Sequence, residues 1–296
     1  MWTAEFIEYL QNERNYSPRT VEAYEKDLKV FESYMNALDE QVSWENLDKD
    51  VVRQFIVERM EIGQSPASVC RNLSSLKSFY KYLMRRGLVQ RDPVYAIQGP
   101  KKAKPLPQFV RESEMERLLD GNYFPETLQG EFDRMVLLTF YSTGIRLSEL
   151  VGLSWGDVDF AQSQLKVTGK RDKQRIVPFG RELYEAFSLF KRLLQGSGYA
   201  VAGDAPVFVD FKSQGRRTPG KIQQIVRYYL SQVTTLKRRS PHVLRHSFAT
   251  SMLNHHADLQ SVKELLGHES ISTTEIYTHT TFEELKETYN QAHPRA

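Results

Sequence analysis

The sequence predicts a mainly α-helical protein of two domains: an N-terminal four-helix unit, then a mostly helical domain carrying a small antiparallel β-sheet. Three observations support this. Apolar residues recur at three- and four-residue steps over much of the chain. Ser17-Pro18 and Ser65-Pro66 each set a capping hydroxyl before a first-turn proline, whose missing N–H costs nothing there. Residues 99–107, Gly-Pro-Lys-Lys-Ala-Lys-Pro-Leu-Pro, hold three prolines and three lysines and read as an extended basic linker rather than a helix. A length of 296 residues also suits two domains. The expected division is 1–98, a linker at 99–107, and 108–296.

In the first domain, Val21, Tyr24, Leu28, Phe31 and Met35 form one apolar stripe after Ser17. Val69, Leu73, Leu76, Tyr80 and Leu83 form another after Ser65. Shorter helices near 2–13 and 47–62 complete the four. Arg71, Lys81, Arg85 and Arg86 fall opposite the second stripe and would give that helix a basic face.

The second domain is expected to open on a capping box, Ser113-Glu114-Met115-Glu116. A helix through Met135–Leu138 should end at Gly144. Gln164–Thr168 and Arg175–Pro178 read as two strands joined by a polar hairpin turn, and Pro206–Val209 as a third short strand. Helices are expected at 219–234, 240–255, 258–266, 272–279 and 282–291. In the last, Phe282, Leu285 and Tyr289 line one side.

Composition narrows the function. The single cysteine, Cys70, excludes a disulfide framework and fits a reducing compartment. No apolar run approaches the roughly 20 residues of a membrane span, and the opening Met1–Phe6 lacks the pattern of a signal peptide. A cytoplasmic location is expected. The charge is unevenly spread. Residues 1–70 carry seven bases and fourteen acids, residues 71–107 nine bases and one acid, and residues 212–245 nine bases and no acid. Two separate basic blocks point to a polyanion partner.

Six polar residues suit phosphodiester chemistry: Arg146, Lys170, His242, Arg245, His268 and Tyr277. Two guanidiniums, an ammonium, two imidazoles and a phenol can bind a phosphate, move its protons and attack it. Each also has an ordinary local reading: Lys170 as a solvated hairpin lysine, Arg146 as a carbonyl-binding or ion-pairing arginine, Tyr277 as one packing tyrosine among fifteen. His242 and His246 have the i, i+4 spacing of a zinc pair. However, the glutamate of His-Glu-x-x-His is missing and Arg245 would oppose a cation. No metal is therefore expected, and His246 reads as a hydrogen-bonded structural histidine.

Taken in order, these segments resemble the tyrosine recombinase (phage integrase) family, particularly its Xer branch. The resemblance rests on Thr143-Gly144-Ile145-Arg146-Leu147-Ser148-Glu149-Leu150, His242-x-x-Arg245-His246, Leu265-Leu266-Gly267-His268 and Tyr277-Thr278-His279. It extends from Asn15-Tyr16-Ser17-Pro18-Arg19-Thr20 to His293-Pro294-Arg295-Ala296.

The resemblance implies a site-specific DNA recombinase. Tyr277 would be the nucleophile, giving a 3′-phosphotyrosyl intermediate. Arg146 and Arg245 would clamp the phosphate and His268 would add a hydrogen bond. His242 would help accept the tyrosine proton, and Lys170 would protonate the leaving oxygen. No cofactor is implied. Expected DNA contacts are Arg19, Arg71, Lys77, Lys81, Arg85, Lys101, Lys102, Lys104 and Arg171. The partners implied are a double-stranded recombination site, a homo- or heterotetramer with a paralogous recombinase as the second subunit, and a DNA translocase as activator. The C-terminal helix would dock on a neighbouring protomer. Resolution of chromosome dimers is the first expectation. A mobile-element integrase, a topoisomerase using the same tyrosine chemistry, and a DNA-binding protein without cleavage activity are the alternatives.

Overall fold

The computed structural model describes residues 2–39, 41–101, 108–169, 172–267 and 282–296. The chain divides into two compact units, Met1–Pro105 and Leu106–Ala296.

The first unit is a four-helix assembly: α1 (Trp2–Asn12), α2 (Pro18–Leu38), α3 (Lys49–Glu61) and α4 (Pro66–Arg85). Ser17 Oγ accepts the Thr20 N–H and Ser65 Oγ accepts the Ser68 N–H, with a proline opening each helix. Asp48 caps α3. Phe6, Phe31, Phe55 and Phe79 are fully buried at the centre, and Trp44 meets Phe79 edge-on at 4.9 Å.

One polar centre lies inside this core. Asp27 on α2 is 2% exposed and accepts four hydrogen bonds from α4. Two come from the Arg71 guanidinium at 2.7 and 3.0 Å, one from Asn72 Nδ2 at 3.0 Å and one from Ser75 Oγ at 2.8 Å. Three of the four bases expected on the outer face of α4 stay exposed but are bonded within the unit. Arg71 is ion-paired to Asp27, Lys77 donates to the Tyr95 carbonyl, Arg85 to Tyr9 Oη, and Arg86 to Glu13. Arg19, Lys81 and Lys101 are exposed.

The second unit is built around α6 (Leu128–Thr143), whose last three turns are buried on nearly every side. Around it pack α8 (Arg181–Gly196), α9 (Pro219–Val233) and α10 (Pro241–Asn254). The other helices are α5 (Glu112–Asp120), α7 (Leu147–Gly152), α11 (Leu259–Leu266) and α12 (Phe282–Ala292). The sheet is antiparallel in the order β1 (Val158–Asp159), β2 (Gln164–Thr168), β3 (Gln174–Pro178). Leu165 lies opposite Val177 and Val167 opposite Arg175. The Gly169 N–H donates to the Lys173 carbonyl at the base of the β2–β3 hairpin.

Three expectations for this unit change. Helix α5 starts at Glu112 and its cap is Arg111, two residues before Ser113: Glu114 Oε2 accepts the Arg111 N–H, so the turn closes on Glu114 rather than Glu116. Residues 207–209 are buried, and 206–209 form no strand. Pro206 and Val209 make single bridges to Ser154 and Arg216, and the backbone bonds run to Leu153 and Arg217 instead. Helices α7 and α8 lie outside the predicted set, although Leu183, Ala186, Phe187, Phe190 and Leu194 make α8 plainly amphipathic.

Helix α12 seats Tyr289 and Ala292 in its own unit, while Phe282 and Leu285 on the same side are half-buried. Tyr289 is fully buried with Phe248, Met252 and Leu265. Its Oη accepts the Gly180 N–H, and its ring stacks on His293. The expected helix at 272–279 lies outside the described residues.

Candidate active site

Three segments converge in the second unit, and each is placed by a glycine or a cap. Helix α6 ends at Gly144, whose φ of 60° is left-handed. A Cβ there would stand 2.5 Å from a Phe248 ring carbon and 2.9 Å from Leu266, so glycine is required on both counts. The turn leaves Arg146 extended as the residue before α7. Glu149, one turn on, accepts the Arg146 N–H at 2.7 Å and its Nη1 at 2.8 Å. Helix α11, capped by Asp258, stops at Gly267 with φ 64°. Pro241 opens α10 and places Arg245 in its second turn.

The last carbonyls of a helix have no intrahelical donor and carry the negative end of its dipole. Here three successive carbonyls at the end of α11 each receive a different arginine. Arg175 Nε donates to Leu265 O at 2.9 Å, Arg245 Nη2 to Leu266 O at 2.5 Å, and Arg146 Nη2 to Gly267 O at 2.7 Å. Arg245 Nη1 also reaches Gly144 O at 2.6 Å. Arg175 closes the cluster with a two-pronged bond to Glu149, at 2.8 and 2.9 Å.

Three guanidiniums against one carboxylate leave two positive charges in excess. Burial would push the Glu149 carboxyl up, but Arg175 first and Arg146 second hold it down at about 2. Burial, helped by the Arg146 charge, pushes Arg245 down to about 10. It stays cationic at neutral pH but is poorly solvated, being 7% exposed. A desolvated, over-positive cluster with planar donors is suited to an oxyanion such as phosphate.

Of the predicted catalytic residues, the structure brings Arg146 and Arg245 together. His242 is exposed one turn before Arg245 on α10. Lys170, His268 and Tyr277 lie outside the described residues, as do Lys102, Lys104 and Arg171. The hairpin expected to hold Lys170 is present, and α11 ends immediately before His268. His246 is exposed and makes no hydrogen bond among the described residues, which corrects its reading as a bonded structural histidine. Sequence reasoning missed Glu149 and Arg175 as site residues. Arg175 had a signal: it shares a strand face with Val177 and faces Val167, both buried, where a cation is out of place unless paired. Among the described residues no group of three His, Cys, Asp or Glu could hold a metal, and no helix is long and apolar enough to cross a membrane.

Comparison with known proteins gives the same picture. The phage integrase family matches residues 108–284, and the phage integrase N-terminal SAM-like domain matches residues 3–87. The tyrosine recombinase XerC of Chlorobaculum tepidum is 39% identical, over 100% of this chain and 95% of its own. The tyrosine recombinase XerD of Listeria monocytogenes is 37% identical, over 99% and 98%. Among solved structures, the Tn1549 transposon integrase in complex with transposon right end DNA superposes with a TM-score of 0.72 at 18% identity, covering 98% of this chain and 97% of that one. The XerH site-specific recombinase bound to difH substrate gives 0.70 at 22% identity, over 96% and 83%. These two share the fold. With full-length relatives above a third identical and an arginine cluster suited to phosphate, the chain belongs to the phage integrase family of tyrosine recombinases, enzymes that cleave and rejoin DNA at specific sites.

Proposed function

We propose that this enzyme cleaves a DNA strand by attack of Tyr277 on a backbone phosphate held between Arg146 and Arg245. The observation that carries this reading is the seating of both guanidiniums, with two positive charges in excess, on the carbonyls that end α11. In the reaction the Tyr277 oxygen bonds to phosphorus and the bond to the 5′ oxygen breaks. The phosphate stays on the tyrosine as a 3′-phosphotyrosyl ester, and Lys170 protonates the departing 5′ oxygen. His242 helps accept the phenol proton and His268 donates to a non-bridging oxygen.

A phenol of ordinary pKa, near 10, is a poor nucleophile at neutral pH, and the excess positive charge stabilises its phenolate. Charge grows on the non-bridging oxygens in the pentacoordinate transition state, where fixed donors act most strongly. The ester conserves the energy of the phosphodiester, so a 5′ hydroxyl from another strand can reverse the step. No cofactor takes part in this scheme.

The region 1–98 would bind the core site, 99–107 would cross the duplex and 108–296 would cut it. Arg19, Lys81, Lys101, Lys102, Lys104 and Arg171 are the proposed direct DNA contacts; Arg71, Lys77 and Arg85 would contribute through donors left over from their internal partners. Full-length similarity to relatives named XerC and XerD supports a chromosomal role in the cytoplasm. There four subunits, with or without a paralogous recombinase, would resolve chromosome dimers under a DNA translocase.

A nicked suicide substrate tests the chemistry. The chain should form an SDS-resistant DNA adduct that Tyr277→Phe abolishes, and an adduct surviving that substitution removes Tyr277 as nucleophile. Mapping the adduct on chromosomal DNA tests the role. Adducts at ends of a mobile element, rather than at one chromosomal locus, would replace dimer resolution with integration.

A further inference from the structure

We propose that Arg175 is a positioning residue of the phosphate clamp: it neutralises Glu149 and braces the end of α11, so that Arg146 and Arg245 keep their charge for the scissile phosphate. This rests on reading the cluster as the phosphate site.

Four features of the structure converge on it. Arg175 sits on the buried face of β3, opposite Val167 and alternating with Val177, where an unpaired cation would carry a heavy desolvation cost. Two of its donors cover both oxygens of Glu149 and a third holds Leu265 O. Its side chain also lies flat on Gly267: a Cβ there would meet its Cδ, Nε and Cζ at 3.0, 3.1 and 3.2 Å. Finally, Arg175 and Arg146 share one acceptor, Glu149 Oε1. One guanidinium therefore ties the strand leaving the hairpin, the first turn of α7 and the last turn of α11 into one unit.

The sharing sets the charge balance. Glu149 is needed to orient Arg146, since it takes both the backbone N–H and Nη1. Alone with Arg146, however, it would cancel the charge the phosphate requires. Arg175 supplies the compensating charge without turning its bonded donors toward the substrate. Without it the cluster falls from two positive charges in excess to one. Removing Glu149 as well restores two. A lysine would keep the charge but lose the fork and the contact to Leu265.

The test uses the full chain and a nicked duplex on which it forms its covalent adduct. Arg175→Gln should slow adduct formation by about 30- to 100-fold, the cost expected of a misplaced clamp, while affinity for the same DNA stays within about 3-fold. The double variant R175Q/E149Q should then cleave at least about 5-fold faster than R175Q, because the excess charge returns. A residue that merely supports the fold predicts further loss in the double variant, so a double variant no faster than R175Q overturns the proposal, as does unchanged cleavage by R175Q. Should R175Q fail to fold, Arg175→Lys decides. Because a lysine keeps the charge but loses the brace, a loss of about 3-fold or more at unchanged DNA affinity supports the proposal, and a smaller loss overturns it. A wild-type chain that forms no adduct on any DNA would instead remove the phosphate-site reading itself.

Discussion

Arg245 and Leu266 meet through a 2.5 Å bond from Nη2 to the carbonyl, and the other arm of the same guanidinium reaches Gly144. The buried cation thus bridges the ends of α6 and α11. The two helix ends that frame the site are held at a fixed spacing by the guanidinium proposed to hold the phosphate. Arg245→Lys should therefore damage the geometry of the site, because an ammonium cannot span both carbonyls. Cleavage of a suicide substrate should fall about 100-fold, with DNA affinity nearly unchanged in a gel-shift titration.

Glu149 makes the cluster sensitive to acid. Its carboxyl is held at about 2 against an ordinary value of 4.5, so its ionised form stabilises the fold. That contribution is complete above pH 5 and is lost as pH falls from 4.5 toward 2. It amounts to about 3 kcal/mol at neutral pH, with more than half gone by pH 3. Urea midpoints for the wild type and Glu149→Gln should differ most near pH 7 and converge by pH 2 to 3. A constant gap would show that Glu149 stabilises through packing alone.

Gly144 tests how tightly the clamp is set. Its left-handed φ and the Phe248 ring carbon 2.5 Å from any added Cβ make Gly144→Ala costly by about 2 to 4 kcal/mol, from backbone strain and overpacking together. Thermal unfolding should show that loss. Because the strain falls between the Arg146 and Arg245 segments, cleavage at permissive temperature should drop as well.

Asp27 has an analogous role in the first unit, where four donors of α4 converge on one buried carboxylate. Asp27→Ala leaves Asn72 and Ser75 without that acceptor and Arg71 without its counter-ion, a loss of about 3 to 5 kcal/mol. Limited proteolysis should report early cleavage confined to residues before 100. The release of Arg71 should steepen the salt dependence of DNA binding rather than abolish it.

These residues also show what could be read from the sequence. The serine–proline starts, the Gly144 and Gly267 stops and the β2–β3 hairpin are local chemistry, fixed within a few residues, and each stands where it was expected. Helix α4 was legible as an apolar stripe, but the fate of its bases was not. Asp27 lies 44 positions before Arg71, and nothing local pairs them. Arg146 and Arg245 were legible as candidate phosphate ligands, whereas their mutual support through Glu149, Arg175 and the carbonyls of α11 exists only after folding brings four segments together. The short strand expected at 206–209 failed for the converse reason: apolar residues there are buried by neighbours, without a partner strand to bond.

The C-terminal seat supplies a last test. Burial, first of all, pushes His293 down to about 4, while its Nε2 bonds the Tyr141 carbonyl and its ring stacks between Tyr289 and Phe248. The folded state thus prefers the neutral ring. Above pH 6.5 folded and unfolded chains are both neutral at this position and no penalty applies. As pH falls below 6.5 the unfolded or undocked chain takes a proton that the seated ring refuses. Docking of α12 is weakened by about 2 kcal/mol at pH 5. Hydrogen exchange of residues 285–292 should therefore accelerate about 30-fold at pH 5 relative to pH 7.5, after correction for intrinsic rates. His293→Phe, which stacks but does not titrate, should remove that pH dependence. A slope that persists in the variant would place the sensitive group elsewhere.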